Sequence, residues 1–383
     1  MYDNNSCIRK NINLSKMKIV QILPDLRIGG AELIAINLAN EWVKNNNQCE
    51  IWLLKKKGEY IKLLDPRIIV RDLNCARLRN LPFKLFMFIK KYTPDQIVSQ
   101  MWPYTTIITI SWILAGNRSK LTLVEQVCLS EHIKQDFQFP FWLFQIYTGI
   151  IYRLATNLVA SSKGAAADLS RILKLSEKKI NMISNPIVET PLINLAVRED
   201  KKIRKIFWKN STKCILSIGT FKAQKNYSLL IKSFSLIANE TNANLVIVGD
   251  GVERELLEKQ IIKLNLLNRV FLPGKFIDPI PFLLAADLFV LSSNFEGLPT
   301  VIVQALATGT PVVSTDCPHG PSEIIKNSDL GILVPKNDSR SLSMGILKGL
   351  KTKWDRKILQ KRALNFSINK QSKKYLSLFK SNA

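Results

Sequence analysis

Apolar residues in this chain come in short, β-branched runs, each followed by a stretch with helical spacing, and the alternation recurs along its length. Residues 18–23 (KIVQIL) are the first such run, of the kind that forms a buried parallel strand. The run breaks between Pro24 and Gly30 and leads into a helical pattern over 31–43. Further runs at 51–54, 68–70, 96–99, 121–125 and 157–161 continue the series, with 163–173 helical and 179–183 extended. Between 187 and 213 the pattern gives way to mixed polar residues and a run of charge, which predicts a joining segment. A second series then begins, with strands at 214–218, 244–248, 270–272, 288–291 and 311–314 and helices at 227–239, 253–264 and 300–308. The tail, 357–378, has helical spacing around Ala363, Phe366, Tyr375 and Leu378. Such alternation predicts parallel sheets with helices on their faces. The expected fold is α/β, with two Rossmann-like domains facing across a cleft. They span 17–190 and 214–356, joined through 191–213, and 357–383 returns as a helix toward the first.

Length and composition agree with this division. At 383 residues the chain exceeds one ordinary core, and 46% hydrophobic with 22% charged residues is a globular composition. No apolar run reaches the roughly 20 residues that span a bilayer. Residues 1–16 are polar and Asn-rich, so they read as a disordered leader, with Met17 as an alternative start. The 6 cysteines lie far apart, which argues against a zinc site or a disulfide framework and fits a reducing cytoplasm.

The net charge of +25 calls for an anionic partner: nucleic acid, an acidic membrane surface or a phosphorylated substrate. No aromatic-basic RNA-binding signature or zinc-finger spacing accompanies it, so nucleic acid is set aside. Residues 81–92 (LPFKLFMFIKKY) and 137–152 (FQFPFWLFQIYTGIIY) mix large apolar with polar or basic side chains. They fit an anionic membrane surface and equally a cover for the first sheet.

Open parallel sheets bind ligands beyond the C-terminal ends of their strands, and four loops there carry unusual residues. The first places Gly29 and Gly30 at a strand-to-helix junction, where backbone N–H groups can approach a phosphate or sugar. The second, 219–226 (GTFKAQKN), offers Lys222 and Lys225 as point charges, or as two solvated loop lysines. The third, 249–251 (GDG), is a turn. The fourth runs from Ser292 through Asn294, Glu296, Gly297, Leu298 and Pro299 into a helix starting near Thr300. The free N–H donors and positive dipole end of such a helix suit a diphosphate, with Leu298 and Thr300 supplying amides because Pro299 has none. Glu296 sits at its mouth, either as a functional carboxylate or as a cap.

Together these motifs resemble glycosyltransferase family 4, of the GT-B fold. The resemblance rests on Glu296–Gly297–Leu298–Pro299, the following Ala305–Leu306, Gly309–Thr310–Pro311 and Glu323. Gly29–Gly30–Ala31–Glu32, Asn185–Pro186 and Gln224–Lys225–Asn226 stand in the family's order. Residues 316–323 (DCPHGPSE) are similar to bacterial members that build cell-surface glycans, often from UDP-N-acetylhexosamines. The resemblance implies a retaining transferase without metal or cofactor, using a UDP-sugar as co-substrate and a glycan or lipid-linked acceptor. It implies that Lys225 binds the diphosphate and stabilises the leaving group, and that Glu296 holds donor-sugar hydroxyls. Gly30 lies by the phosphates, and the loop with Gly274, Lys275 and Phe276 receives the base.

Three positions depart from the family pattern. Gln304 stands where a second glutamate holds the ribose, and its amide oxygen can still accept a hydrogen bond. Thr220 stands where an arginine is frequent, with Lys222 as a compensating charge. Gln126 follows the strand-end Glu125 in place of a histidine. The expected function is therefore an enzyme extending a surface polysaccharide, lipopolysaccharide or lipid-linked glycan, cytoplasmic and peripheral on the inner membrane face. The three departures keep a second reading open, a non-catalytic relative that binds a nucleotide and scaffolds another enzyme.

Overall fold

A computed structural model describes residues 16–75, 77–136, 140–189, 200–208 and 212–381. The expected leader and most of the joining segment lie outside them. In the first half β1 (Lys18–Leu23), α1 (Gly30–Lys44), β2 (Gln48–Leu53), β3 (Ile69–Asp72) and α2 (Leu81–Tyr92) are followed by β4 (Gln96–Gln100) and α3 (Tyr104–Leu114). Then come β5 (Lys120–Glu125), α4 (Leu129–Asp136), α5 (Phe141–Tyr152), β6 (Asn157–Ala160), α6 (Lys163–Leu173) and β7 (Ile180–Met182). The seven strands form one parallel sheet, ordered β3-β2-β1-β4-β5-β6-β7.

In the second half α7 (Asp200–Phe207), β8 (Lys213–Ile218), α8 (Tyr227–Ile237), β9 (Ala243–Val248) and α9 (Arg254–Lys263) lead to β10 (Val270–Phe271), α10 (Ile280–Ala285) and β11 (Leu288–Leu291). There follow α11 (Thr300–Ala307), β12 (Val312–Thr315), α12 (Pro321–Ile324), β13 (Ile332–Val334) and α13 (Ser339–Lys351). Six strands form the second parallel sheet, ordered β10-β9-β8-β11-β12-β13. The tail supplies α14 (Arg356–Ala363) and α15 (Ile368–Ser381).

Central strands such as β4, β9, β11 and β12 are buried at every position, and β9 and β11 accordingly read as mostly apolar runs, whereas β4 (QIVSQ) and β12 (VVST) bury polar side chains as well. Strand order reverses between β1 and β4 and again between β8 and β11, so each sheet opens a crevice at its own switch point. The strand β13 escaped the sequence pattern, because three residues are too few to show a period, and the helix after it was not picked out either. Within the expected joining segment, α7 packs on the second sheet's layer: Phe207 lies 5.5 Å from Phe282 and Arg204 pairs with Asp287 at 2.8 Å.

The tail is two helices rather than one. α14 stays on the second half, where Arg362 donates to the Ile324 and Glu323 carbonyls. The chain then turns at Leu364–Phe366 and crosses to the first half as α15. An unbroken helix cannot make that crossing, because Val188 and Ser367 pair as an isolated bridge there. Ile187 N–H donates to the Phe366 carbonyl at 2.9 Å and Ile368 N–H to the Val188 carbonyl at 3.0 Å, so the outgoing and returning strands hold each other. On arrival, Tyr375 and Phe379 pack edge-on to Trp42 of α1, at 6.0 and 5.6 Å between ring centroids.

Truncating one of those rings tests the docking of the tail. Phe379→Ala should cost about 3–5 kcal/mol, as for other buried aromatic rings, and should loosen α15 and α1 together in hydrogen exchange. A loss below about 1 kcal/mol, or exchange unchanged in α1, would show that the tail is not part of the first core.

Candidate active site

The C-terminal ends of the two sheets enclose a cavity of about 520 Å³. From the first half Gly29, Gly30 and Gln126 line it, and from the second Thr220, Lys222, Lys225, Lys275 and Phe276. Glu296, Gly297, Leu298, Pro299, Thr300 and Gln304 complete the opposite wall. Gly274 is the one candidate outside the lining: its carbonyl accepts the Gly249 N–H at 2.9 Å, and so it shapes the loop that carries Lys275 and Phe276.

Two helix starts face each other in this cavity. The N-cap residues, Gly29 of α1 and Pro299 of α11, make no side-chain cap; at α1 the first-turn Glu32 carboxylate folds back on its own N–H beside Gly29, while the first turn of α11 faces the cleft. A methyl group on Gly30 would lie 3.5 Å from Thr300 Oγ1, which measures how closely they approach. Beside them Lys225 Nζ donates to Glu296 Oε1 at 2.6 Å, and Ser293 Oγ donates to the same oxygen at 2.6 Å. Glu296 is therefore not at an open mouth, as its place in the sequence suggests. It is buried, 5% exposed, with its N–H held by the Pro318 carbonyl at 2.8 Å. It caps neither helix. Its chemistry is a carboxylate paired with the one lysine that the motif also singles out.

The halves are tied around this cavity. Glu323 accepts the Lys163 and Gly164 N–H groups at 2.8 and 2.9 Å, capping α6 from across the interface. Asn185 Nδ2 donates to the Leu298 carbonyl at 3.4 Å. Backbone meets backbone at Gly297, where any Cβ would stand 1.7 Å from the Gln126 carbonyl oxygen.

Several cleft residues had no signal in the sequence beyond lying after a strand. Tyr60, Trp102, Tyr104 and Arg27 form the first-half wall. Glu125, at the end of β5, is buried; it accepts from Tyr152 Oη, which is also 2.6 Å from Thr105 Oγ1, while Glu125 Oε2 has no hydrogen-bond partner among the described residues. Burial pushes this carboxyl up to about 7; the Tyr152 hydrogen bond lowers it and the Asp168 charge raises it, both to a smaller extent.

Residues 198–366 match the family described as Glycosyl transferases group 1. From Campylobacter jejuni, the N-acetylgalactosamine-N,N′-diacetylbacillosaminyl-diphospho-undecaprenol 4-α-N-acetylgalactosaminyltransferase is 30% identical over 249 residues, 65% of this chain. That match spans 65% of the relative's own length, a little under two thirds. Another C. jejuni protein is named as an α-1,4-N-acetyl-D-galactosaminyltransferase for GalNAc-α-(1→4)-GalNAc-α-(1→3)-diNAcBac-PP-undecaprenol. It is 25% identical over 380 residues, covering 94% of this chain and 98% of that one. The crystal structure of Anabaena HepE in complex with UDP-glucose superposes with a TM-score of 0.79, over 94% of this chain and 99% of that one, at 21% identity. The chain therefore has the two-domain GT-B fold of that structure, and its segment 198–366 is the part that matches glycosyl transferases group 1.

The raised Glu125 carboxyl makes stability depend on pH. Its folded value near 7 exceeds the ordinary 4.5, so the folded state favours the protonated form. That contribution is complete below about pH 4.5 and is lost as pH rises through 7. Between pH 5 and 8.5 the wild type should therefore lose roughly 2–3 kcal/mol relative to Glu125→Gln, measured by urea unfolding. Parallel pH profiles for the two proteins would show that the carboxyl is not perturbed.

Proposed function

We propose that the chain transfers a sugar, an N-acetylhexosamine, from a UDP-sugar to a lipid-linked or surface-polysaccharide glycan, retaining anomeric configuration and using no metal. The observation that carries this reading is the start of α11, whose N-cap Pro299 makes no side-chain cap, facing the glycine start of α1 across the cleft with Lys225 beside it. A diphosphate set there would meet N–H donors from both halves and a charge-assisted bond from Lys225. Donor binding then competes with Glu296 for the lysine, and the released carboxylate turns to the sugar hydroxyls. Retention and assignment to family 4 rest on the motif resemblance. The hexosamine and the lipid-linked acceptor rest on the names of the C. jejuni relatives.

A place on the inner face of the cell membrane fits the outer layer of the first half. Phe83 and Met87 on α2 and Trp142, Ile146 and Ile150 on α5 are between 51% and 68% exposed, and Lys90 and Lys91 end α2. Among the described residues no helix is long and apolar enough to cross a membrane. The layer would therefore lie on an anionic surface rather than in it.

The test is transfer from a panel of UDP-sugars to an undecaprenyl-diphosphate-linked acceptor in anionic vesicles, read by mass spectrometry. The wild type should form product, and Glu296→Gln should lose on the order of a hundredfold in rate. UDP affinity should stay undiminished in Glu296→Gln, because Lys225 is released rather than removed, whereas Lys225→Ala should weaken it by about 1.5–3 kcal/mol. A wild type that binds UDP yet neither transfers nor hydrolyses any donor would overturn the enzymatic reading and leave the scaffold.

A further inference from the structure

Beneath the first-half side of the cleft, three glutamine side chains form a line of hydrogen bonds across the C-terminal edge of the sheet. Gln126, just past β5, donates through Nε2 to Gln100 Oε1. Gln100, the last residue of β4, donates through Nε2 to Gln21 Oε1 at 3.0 Å. Gln21, on β1, donates through Nε2 to the Ala35 carbonyl of α1 at 2.7 Å. These strands are sheet neighbours in the order β1-β4-β5, so the line steps strand by strand across the switch point. Gln21 and Gln100 are each 1% exposed, while Gln126 reaches the cavity.

Every link points the same way, and the end of the line fixes the direction. The Ala35 carbonyl can only accept, so Gln21 must turn its NH2 toward it and its oxygen toward Gln100. Gln100 must then turn its NH2 to Gln21 and its oxygen to Gln126. Flipping Gln21 or Gln100 sets oxygen against oxygen on one side and N–H against N–H on the other, and flipping Gln126 sets its oxygen against Gln100 Oε1. Flipping all three sets the Gln21 oxygen against the Ala35 carbonyl. In a buried setting an unmade pair costs far more than the bond itself is worth, so the orientation is locked. Gln126 Oε1 has no partner among the described residues and is not a buried orphan.

We infer that Gln21 and Gln100 are positioning residues that hold the side-chain amide oxygen of Gln126, Oε1, toward the cleft as a fixed hydrogen-bond acceptor for a hydroxyl or N–H of the bound sugar. This rests on the transfer reading above and deepens it. A sugar that brings an O–H or N–H to this oxygen is held, and one that brings a carboxylate there is repelled. The role needs no charge, which accounts for an amide at this position.

Kinetics with the donor found in the panel test the inference in four proteins: wild type, Gln100→Met, Gln126→Met and the double variant. Each single change should lower kcat/KM by roughly tenfold, the loss of one oriented hydrogen bond. If Gln100 acts through Gln126, the double variant should be no worse than Gln126→Met within about twofold, a non-additivity that a merely structural role would not give. Losses that multiply, or wild-type kinetics in Gln100→Met, would overturn the inference. A second readout stands apart from turnover: exchange of the Gln126 side-chain amide protons by NMR should quicken at least tenfold in Gln100→Met, as for a hydrogen bond lost. Unchanged exchange would remove the relay even if the transfer reading holds. Quickened exchange in a protein that transfers nothing would uphold the relay and leave the transfer reading at fault.

Discussion

At Gly297 the backbone of the second half runs so close to the carbonyl of Gln126 that a side chain has no room: its Cβ would lie 1.7 Å from that oxygen. This contact joins the end of β5 to the loop that starts α11, and so it sets the width of the cleft. Around it the polar ties are satisfied across the interface, by Glu323 on the α6 amides and by Asn185 on the Leu298 carbonyl. A substitution at Gly297 would have to push the halves apart, with the two helix starts carried away from each other.

The chemistry follows from that closeness. The Lys225 and Glu296 side chains are largely withdrawn from solvent, so their charges act in a medium of lower dielectric than the open surface. With no ligand, the lysine's partner is Glu296, itself anchored by Ser293. The pair leaves neither charge bare in a half-buried setting, where an isolated one would be costly. On the proposed reading, a diphosphate would offer the lysine a better partner and free the carboxylate for the sugar.

Much of this was legible in the sequence. Buried parallel strands such as β9 and β11 gave mostly apolar runs, and the loops after β8 and β11 carried their lysine, glutamate and proline at recognisable spacing. What was not legible depends on contacts between distant segments. Glu296 read as standing at the mouth of the helix start because its partner Lys225 lies 71 residues away along the chain. Gln21 read as an ordinary strand residue and Gln100 fell just past the expected strand 96–99, since only the order β1-β4-β5 lines them up with Gln126. Glu125 read as a strand end because the tyrosine that caps it comes from α5. The tail read as one helix because helical spacing continues through the turn at Leu364–Phe366, and the crossing that breaks it is fixed by Val188.

The central claim is that the cleft between the two sheets is where the nucleotide binds. Hydrogen-exchange mass spectrometry of the whole chain, with and without UDP, addresses it directly. Exchange should slow in three places at once: the loop after β8 around Lys225, the turn from Glu296 into α11, and the start of α1 at Gly30. Protection elsewhere, with those three segments unchanged under saturating UDP, would contradict the account.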